Sequence, residues 1–251
     1  MKEFLKKLWR FTWKAAMWFV IVSVFSVILF RWVPIPVTPL MLTRCVEQKI
    51  DGKDMKLKKD WVPLEEISPD LQLAVVCSED QNFLKHHGFD FDAIQKAMEY
   101  NDTHERTRGA STISQQVAKN VFLWQGNGIT RRIRKGFEAY FTVLIELFWS
   151  KQRIMEVYLN VIEMGDGVYG AQAASKEFFK KDAKYLTREE AARIAAVLPN
   201  PIIFKAARPS AHVLSRSSWI QNQMSLWGGV LRYEVPEEKT RSSSGKKRKK
   251  Q

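Results

Sequence analysis

Four short stretches of this sequence gather the side chains that could do chemistry. The first, Glu79-Asp80-Gln81-Asn82-Phe83-Leu84-Lys85-His86-His87-Gly88, sets two adjacent carboxylates at the end of an apolar run, followed by an aromatic, a His and a Gly. Neighbours on a helix point about 100° apart, so one acid can face a cleft as general base while the other holds local structure. A solvated capping pair is the plainer reading of the same residues. The second stretch is Arg108-Gly109-Ala110-Ser111-Thr112-Ile113-Ser114-Gln115-Gln116-Val117-Ala118-Lys119-Asn120. Ser111 and Thr112 can cap a helix whose N-terminus suits an anion such as phosphate. Gln115 and Gln116, four and three residues before Lys119, share its face and can aim two amides and an ammonium at one ligand. In the third, Arg134-Lys135-Gly136-Phe137-Glu138, Glu138 lies one turn beyond Arg134 and can form an ion pair with it, or Arg134 and Lys135 can hold a pyrophosphate. The fourth, Lys151 to Asn160, stacks Glu156 and Asn160 on one face and ends in the turn Gly165-Asp166-Gly167-Val168-Tyr169-Gly170.

The elements that must position these residues read as helices. Ser68-Pro69-Asp70 has the form of an N-cap with proline at the first helical position, opening a helix toward Glu79. Thr187-Arg188-Glu189-Glu190 has the form of a capping box opening an Ala-rich helix that Pro199-Asn200-Pro201 closes. Helical patterns cover 111–122, about 130–149 and about 151–163. No period-2 strands with hairpin turns and no internal repeat stand out, so the expected fold is mainly α, one body behind an N-terminal anchor.

The ends carry the charge. Of a net +13, the first fourteen residues hold +4 and residues 239–251 hold +7, leaving +2 for everything between. A nearly neutral body excludes the broad basic face of a nucleic-acid binder, so no nucleic-acid partner is expected. Ala15 to Phe30 is an uncharged apolar run, long enough to span a bilayer once Arg31, Trp32 and Val33 are counted. No small-x-small cleavage site follows it, which favours an uncleaved anchor over a secretory signal. Five cations precede the span and only Arg31 follows closely, so the N-terminus is expected in the cytoplasm and the body outside it. The expected organisation is a basic segment 1–14, a transmembrane helix 15–33, an extended linker and membrane-proximal segment 34–66 rich in proline, a catalytic domain 67–238 and a disordered basic tail 239–251. Cys45 and Cys77 belong to no metal-binding spacing, and whether they pair is open.

Taken in order, EDxxFxxHxG, RGASTxSQQxxKN, RKxxE, KxRIxExYLN with its glycine turn, and the Ala-rich helix ending in Pro199-Asn200-Pro201 resemble the peptidoglycan glycosyltransferase family, family 51, over roughly residues 70–205. The resemblance implies a mainly α, lysozyme-like domain behind its single anchor in the bacterial inner membrane, with the catalytic domain in the periplasm. It implies polymerisation of lipid II into β-1,4-linked glycan, with inversion at MurNAc C1 and release of undecaprenyl pyrophosphate. Glu79 would be the catalytic base and Glu138 the second catalytic carboxylate, near the leaving pyrophosphate. Asp80, Phe83, His86, Gly109, Ser111, Thr112, Gln115, Gln116, Lys119, Asn120, Arg134, Lys135 and Asn160 would contact substrate. No cofactor would be required, with a divalent cation such as Mg2+ admissible near Glu138. Partners would be lipid II, the growing strand, the membrane, and proteins of cell-wall synthesis or division. The family's two-domain members carry a transpeptidase after this module; none is expected here, since the only SxxK, from Ser243 to Lys246, falls in the basic tail.

Two other functions fit parts of the pattern. A lytic glycosidase of similar fold needs a protonated Glu in an apolar pocket, whereas Lys, Arg and Gln around Glu79 are expected to keep it ionised. A membrane-tethered scaffold would keep the fold without the reaction, and the full set of motif residues argues against it.

Overall fold

The computed structural model describes residues 1–104 and 109–233. Arg108 of the second motif and the basic tail 239–251, with Ser243 and Lys246, lie outside the described residues. The chain order is α1 (Lys2–Phe30), α2 (Pro39–Ile50), β1 (Lys58–Lys59), α3 (Pro69–Glu79), α4 (Phe91–Thr103), α5 (Ile113–Phe122), α6 (Gly128–Phe148), α7 (Lys151–Val161), β2 (Glu163–Gly165), β3 (Val168–Tyr169), α8 (Ala171–Phe179), α9 (Arg188–Val197) and α10 (Ala211–Leu226). The mainly α class and the helices expected around the motifs are present. Helices α2, α4, α8 and α10 were not expected.

Three differences from the sequence reading have local causes. The proline-rich segment is extended only to Thr38, whose hydroxyl then accepts from Met41 N–H and, with Pro39 at the first turn, starts α2. The glycine turn is a hairpin: β3 pairs antiparallel with β2 and parallel with β1, making a three-stranded sheet of order β1-β3-β2. These strands have two or three residues each, too few to show a period. Ser68 stands at the N-cap of α3 without capping it; its hydroxyl donates instead to Leu186 O at 3.0 Å.

Two groups of helices make the body. In the first, α3, α9 and α10 pack on one another. Every residue of α3 from Leu71 to Cys77 is buried, as befits a helix that is apolar all round. Its one buried amide, Gln72, donates to Leu64 O and Ile67 O and accepts from Tyr233 Oη at 2.8 Å, so no polar group there is stranded. In the second group α5 packs on α6 and α7, and α1 lies along α6. Asn160 on α7 is fully buried, exchanging hydrogen bonds with both backbone groups of Val62 and donating to Glu156 O. A Cβ on Gly170, at φ +82°, would stand 2.8 Å from Asn160 O, which requires glycine there.

Helix α1 starts at Lys2, thirteen residues before the expected span, and ends at Phe30 rather than Val33. It is long and apolar enough to cross a membrane. Of its last four carbonyls, those of Ile28 and Leu29 accept from the following backbone N–H groups, and those of Val27 and Phe30 are taken by the body. Trp149 Nε1 donates to Val27 O at 2.7 Å, and the Arg153 guanidinium donates to Phe30 O at 2.9 and 3.2 Å and to Val33 O at 2.8 Å. Glu156 pairs with Arg153 at 2.5 Å, and Trp61 lies against the guanidinium. Arg153→Ala therefore unseats the anchor as well as removing charge-assisted hydrogen bonds. It is expected to cost about 2–4 kcal/mol in thermal unfolding of the detergent-solubilised chain, with faster tryptic cleavage at Arg31.

Candidate active site

A closed ring of hydrogen bonds fixes the first motif. Helix α3 ends because Asp80 leaves helical geometry, at φ −159° and ψ 78°. The buried Asp80 carboxylate then accepts from His86 Nε2 at 2.9 and 3.0 Å and from Ile113 N–H, at the start of α5, at 3.0 Å. His86 Nδ1 accepts from Gly88 N–H at 3.1 Å, which leaves the ring proton on Nε2, facing Asp80. Gly88 O in turn accepts from Thr112 Oγ1 at 2.7 Å, and Thr112 forms a capping box with Gln115 at the head of α5. Gly88, at φ +88°, has no room for a side chain: a Cβ would meet Thr142 Cγ2 at 2.6 Å.

This ring sets Glu79 opposite Gln116, whose Nε2 donates to Glu79 Oε2 at 2.9 Å. Two cavities meet at Ser111, which lines both. The larger, about 750 Å³, has Glu79 in its wall with Asp80, Gly109 and Ser111. The smaller, about 290 Å³, is lined by Ser111, Gln115, Gln116, Lys119, Arg131, Arg134, Lys135 and Glu138. Four cations thus surround one carboxylate. Buried Glu138 pairs with Arg134 Nη1 at 3.0 Å through one oxygen and with Lys135 Nζ through the other, and Lys135 reaches Ser111 Oγ at 3.4 Å. Arg134 Nε is buried without a partner among the described residues, a donor available to an anion.

Burial decides the electrostatics here. Desolvation pushes the Glu79 carboxyl above the ordinary glutamate value; the hydrogen bond from Gln116, the charge of Arg216, the Ser78 hydroxyl and Lys119 oppose it without winning. Burial, rather than the neighbouring cations, thus sets the direction of its shift. Desolvation likewise lowers Lys119, with Glu138 and Glu79 pulling it up and Arg134 and Lys135 pushing it down. Among the described residues no three His, Cys, Asp or Glu are grouped to hold a metal. With both Glu138 oxygens paired to cations, the residues around it do not fit a divalent ion without displacing one of them.

Of the expected site residues, the smaller cavity collects Ser111, Gln115, Gln116, Lys119, Arg134, Lys135 and Glu138, and the larger Glu79, Asp80, Gly109 and Ser111. Phe83, His86, Thr112, Asn120 and Asn160 line neither. Phe83 is fully buried beneath Lys151 Nζ, 4.7 Å from its ring, and Asn160 is spent on Val62. His86 and Thr112 belong to the ring above, where Asp80 also has its oxygens engaged, and Asn120 is buried. These five lie behind the walls of the two cavities rather than in them. The sequence reading missed Arg131, although it precedes Arg134 and Lys135 by three and four residues and so shares their face. It also missed Lys96, Arg216, Trp219 and Gln223 in the wall of the larger cavity.

A family model described as transglycosylase matches residues 47–225. Relatives named biosynthetic peptidoglycan transglycosylase include one from Pseudomonas putida strain GB-1, 54% identical over 216 residues, covering 86% of this chain and 90% of the relative. Another, from Bdellovibrio bacteriovorus, is 55% identical over 211 residues, 84% of this chain and 83% of the relative. A third, from Pseudomonas fluorescens strain Pf-5, is 50% identical over 226 residues, 90% and 93% of the two chains. With matched helices, a cleft between two helical groups and an N-terminal apolar helix all in place, the chain belongs to the peptidoglycan transglycosylase family, as a glycosyltransferase enzyme of mainly helical, lysozyme-like fold.

Proposed function

We propose that the chain polymerises lipid II, joining the acceptor GlcNAc 4-hydroxyl to C1 of the donor MurNAc in a β-1,4 bond, with inversion and loss of undecaprenyl pyrophosphate. The observation that carries this reading is the pairing of one desolvated carboxylate, Glu79, with an adjoining cavity in which four cations surround a single buried acid. The chemistry needs both parts. Glu79 takes the proton from the attacking hydroxyl, and burial makes it a stronger base than an exposed glutamate. Lys119, Arg131, Arg134 and Lys135 receive the negative charge that develops on the leaving pyrophosphate, in fixed positions that need no reorganisation. Glu138 keeps Arg134 and Lys135 in place and limits their repulsion. Gln116 bridges the two parts through its hydrogen bond to Glu79.

In this reading α1 crosses the bacterial inner membrane once, with the basic N-terminus in the cytoplasm and the body outside, because a lipid-linked substrate confined to a bilayer must be met at its surface. A lytic glycosidase also uses a buried Glu, so the raised value alone does not separate the two; the cationic cavity favours an anionic leaving group.

Four measurements test the reading. With labelled lipid II and the full chain in detergent, the wild type is expected to make long muramidase-sensitive strands and Glu79→Gln to lose about 10²–10⁴ in kcat/KM; equal polymer from both would keep the function and remove Glu79 as base. The same variant is expected to have a higher Tm at neutral pH. The folded carboxyl holds its proton more tightly than the unfolded one, so its charge costs stability at all pH above its folded value, and Gln removes that cost. For the same reason kcat/KM falls on acidification through a limb above the ordinary glutamate range, a pH profile that a base with an unshifted value would not give. Reporters fused at residues 1 and 60 should report opposite compartments.

A further inference from the structure

The larger cavity has a wall that none of the motif stretches supplies. Helix α10 buries Val213, Ser217, Ile220 and Met224 against the body, and Arg216, Trp219 and Gln223, each one residue earlier, line the cavity. Their spacing of three and four residues puts them in one row. The Arg216 guanidinium lies over the Trp219 indole at 4.4 Å and donates to Ser78 O at 3.3 Å, which ties this row to the residue before Glu79. Gln223 Oε1 accepts from Gln81 at 3.3 Å, a second tie to the loop after Glu79. Trp219 is nevertheless 40% exposed, an aromatic surface held open beside polar groups. Asp92 and Lys96 of α4 also line this cavity. At about 750 Å³ the cavity falls within the ordinary size of a ligand site.

A fixed indole bordered by guanidinium, amide and carboxylate groups suits a ligand with an apolar face and a polar rim. A pyranose ring has that form: axial C–H groups on its face, hydroxyl and acetamido groups round its edge. The cations that suit phosphate are collected in the other cavity, beyond Ser111. We propose that Arg216, Trp219 and Gln223 form a sugar subsite that holds an N-acetylhexosamine ring of the glycan beside Glu79, an assignment that rests on the glycan-polymerising reading above. The ring belongs either to the growing strand or to the incoming lipid II.

The test uses the full chain in detergent, wild type and Trp219→Ala, with three readouts: affinity for a lipid-free GlcNAc-MurNAc tetrasaccharide, strand length, and the lipid II concentration giving half-maximal rate. Trp219→Ala is expected to weaken tetrasaccharide binding or move one kinetic readout by about threefold or more, the scale of one lost stacking contact, and Trp219→Phe to restore most of it. Shorter strands at unchanged half-saturation assign the ring to the growing strand; a raised half-saturation assigns it to the incoming acceptor. Changes under about threefold in all three readouts, with the wild type polymerising, overturn the subsite and leave the function standing. If Trp219→Ala loses its helical circular dichroism, Gln223→Ala decides by the same thresholds. A wild type that makes no polymer refutes the function, and tetrasaccharide binding then judges the subsite by itself.

Discussion

The geometry of the site depends on the buried Asp80 carboxylate. A charge removed from water persists only where donors surround it, and here they come from His86 and from the first N–H of α5, whose helix dipole adds to the attraction. Because one donor lies on the loop after α3 and the other on α5, satisfying the charge forces the two helical groups into register. Glu79, one residue away on α3, is thereby held within hydrogen-bonding distance of Gln116 on α5. His86, Gly88 and Thr112 close the ring, so three residues expected in the site, Asp80, His86 and Thr112, are joined in one hydrogen-bonded support.

A second constraint links the cleft to the anchor through α6. One end of this helix presents Arg131, Arg134, Lys135 and Glu138 to the anion cavity. Within the next turn Tyr140 shares a 2.7 Å hydrogen bond with Ser23 of α1, and Phe137, Tyr140 and Phe141 pack around Phe19. A rigid helix rises about 1.5 Å per residue, so the cationic cavity and the anchor lie only a few ångströms apart along one element. Trp149 and Arg153 secure the far end of α1 to the same group of helices. The distance of the site from α1 is therefore a property of the fold rather than of a flexible tether.

Local chemistry explains what was legible in the sequence. Helices with capping boxes at Thr112 and Thr187 could be read because their signals lie within four residues. That the adjacent acids could take different tasks was readable from helical spacing, but which of them would be tied up locally was not, because Asp80 leaves the helix to reach His86 and Ile113. What could not be read depends on contacts distant in sequence. Asn160 looks like a ligand-binding amide until Val62, 98 positions away, occupies it. Phe83 and His86 likewise owe their supporting roles to Lys151 and to Asp80. Helix α10 carries mixed residues without a clean apolar stripe, so neither the helix nor its cavity-lining row was visible. Strands of two or three residues leave no period to detect.

The electrostatics of Glu79 show why composition misleads about a base. The cations of the motifs suggest a carboxylate held low, yet Arg134 and Lys135 are paired with Glu138, and burial outweighs the pull of Arg216 and Lys119. In the proposed reaction two tasks oppose each other, since cations strong enough to stabilise a leaving anion also weaken a base beside them, and Lys119 acts on both. Glu138 absorbs part of the cationic field when no anion is bound. In the proposed reaction a pyrophosphate in the smaller cavity would take over that role and offset part of the pull of Lys119 on Glu79.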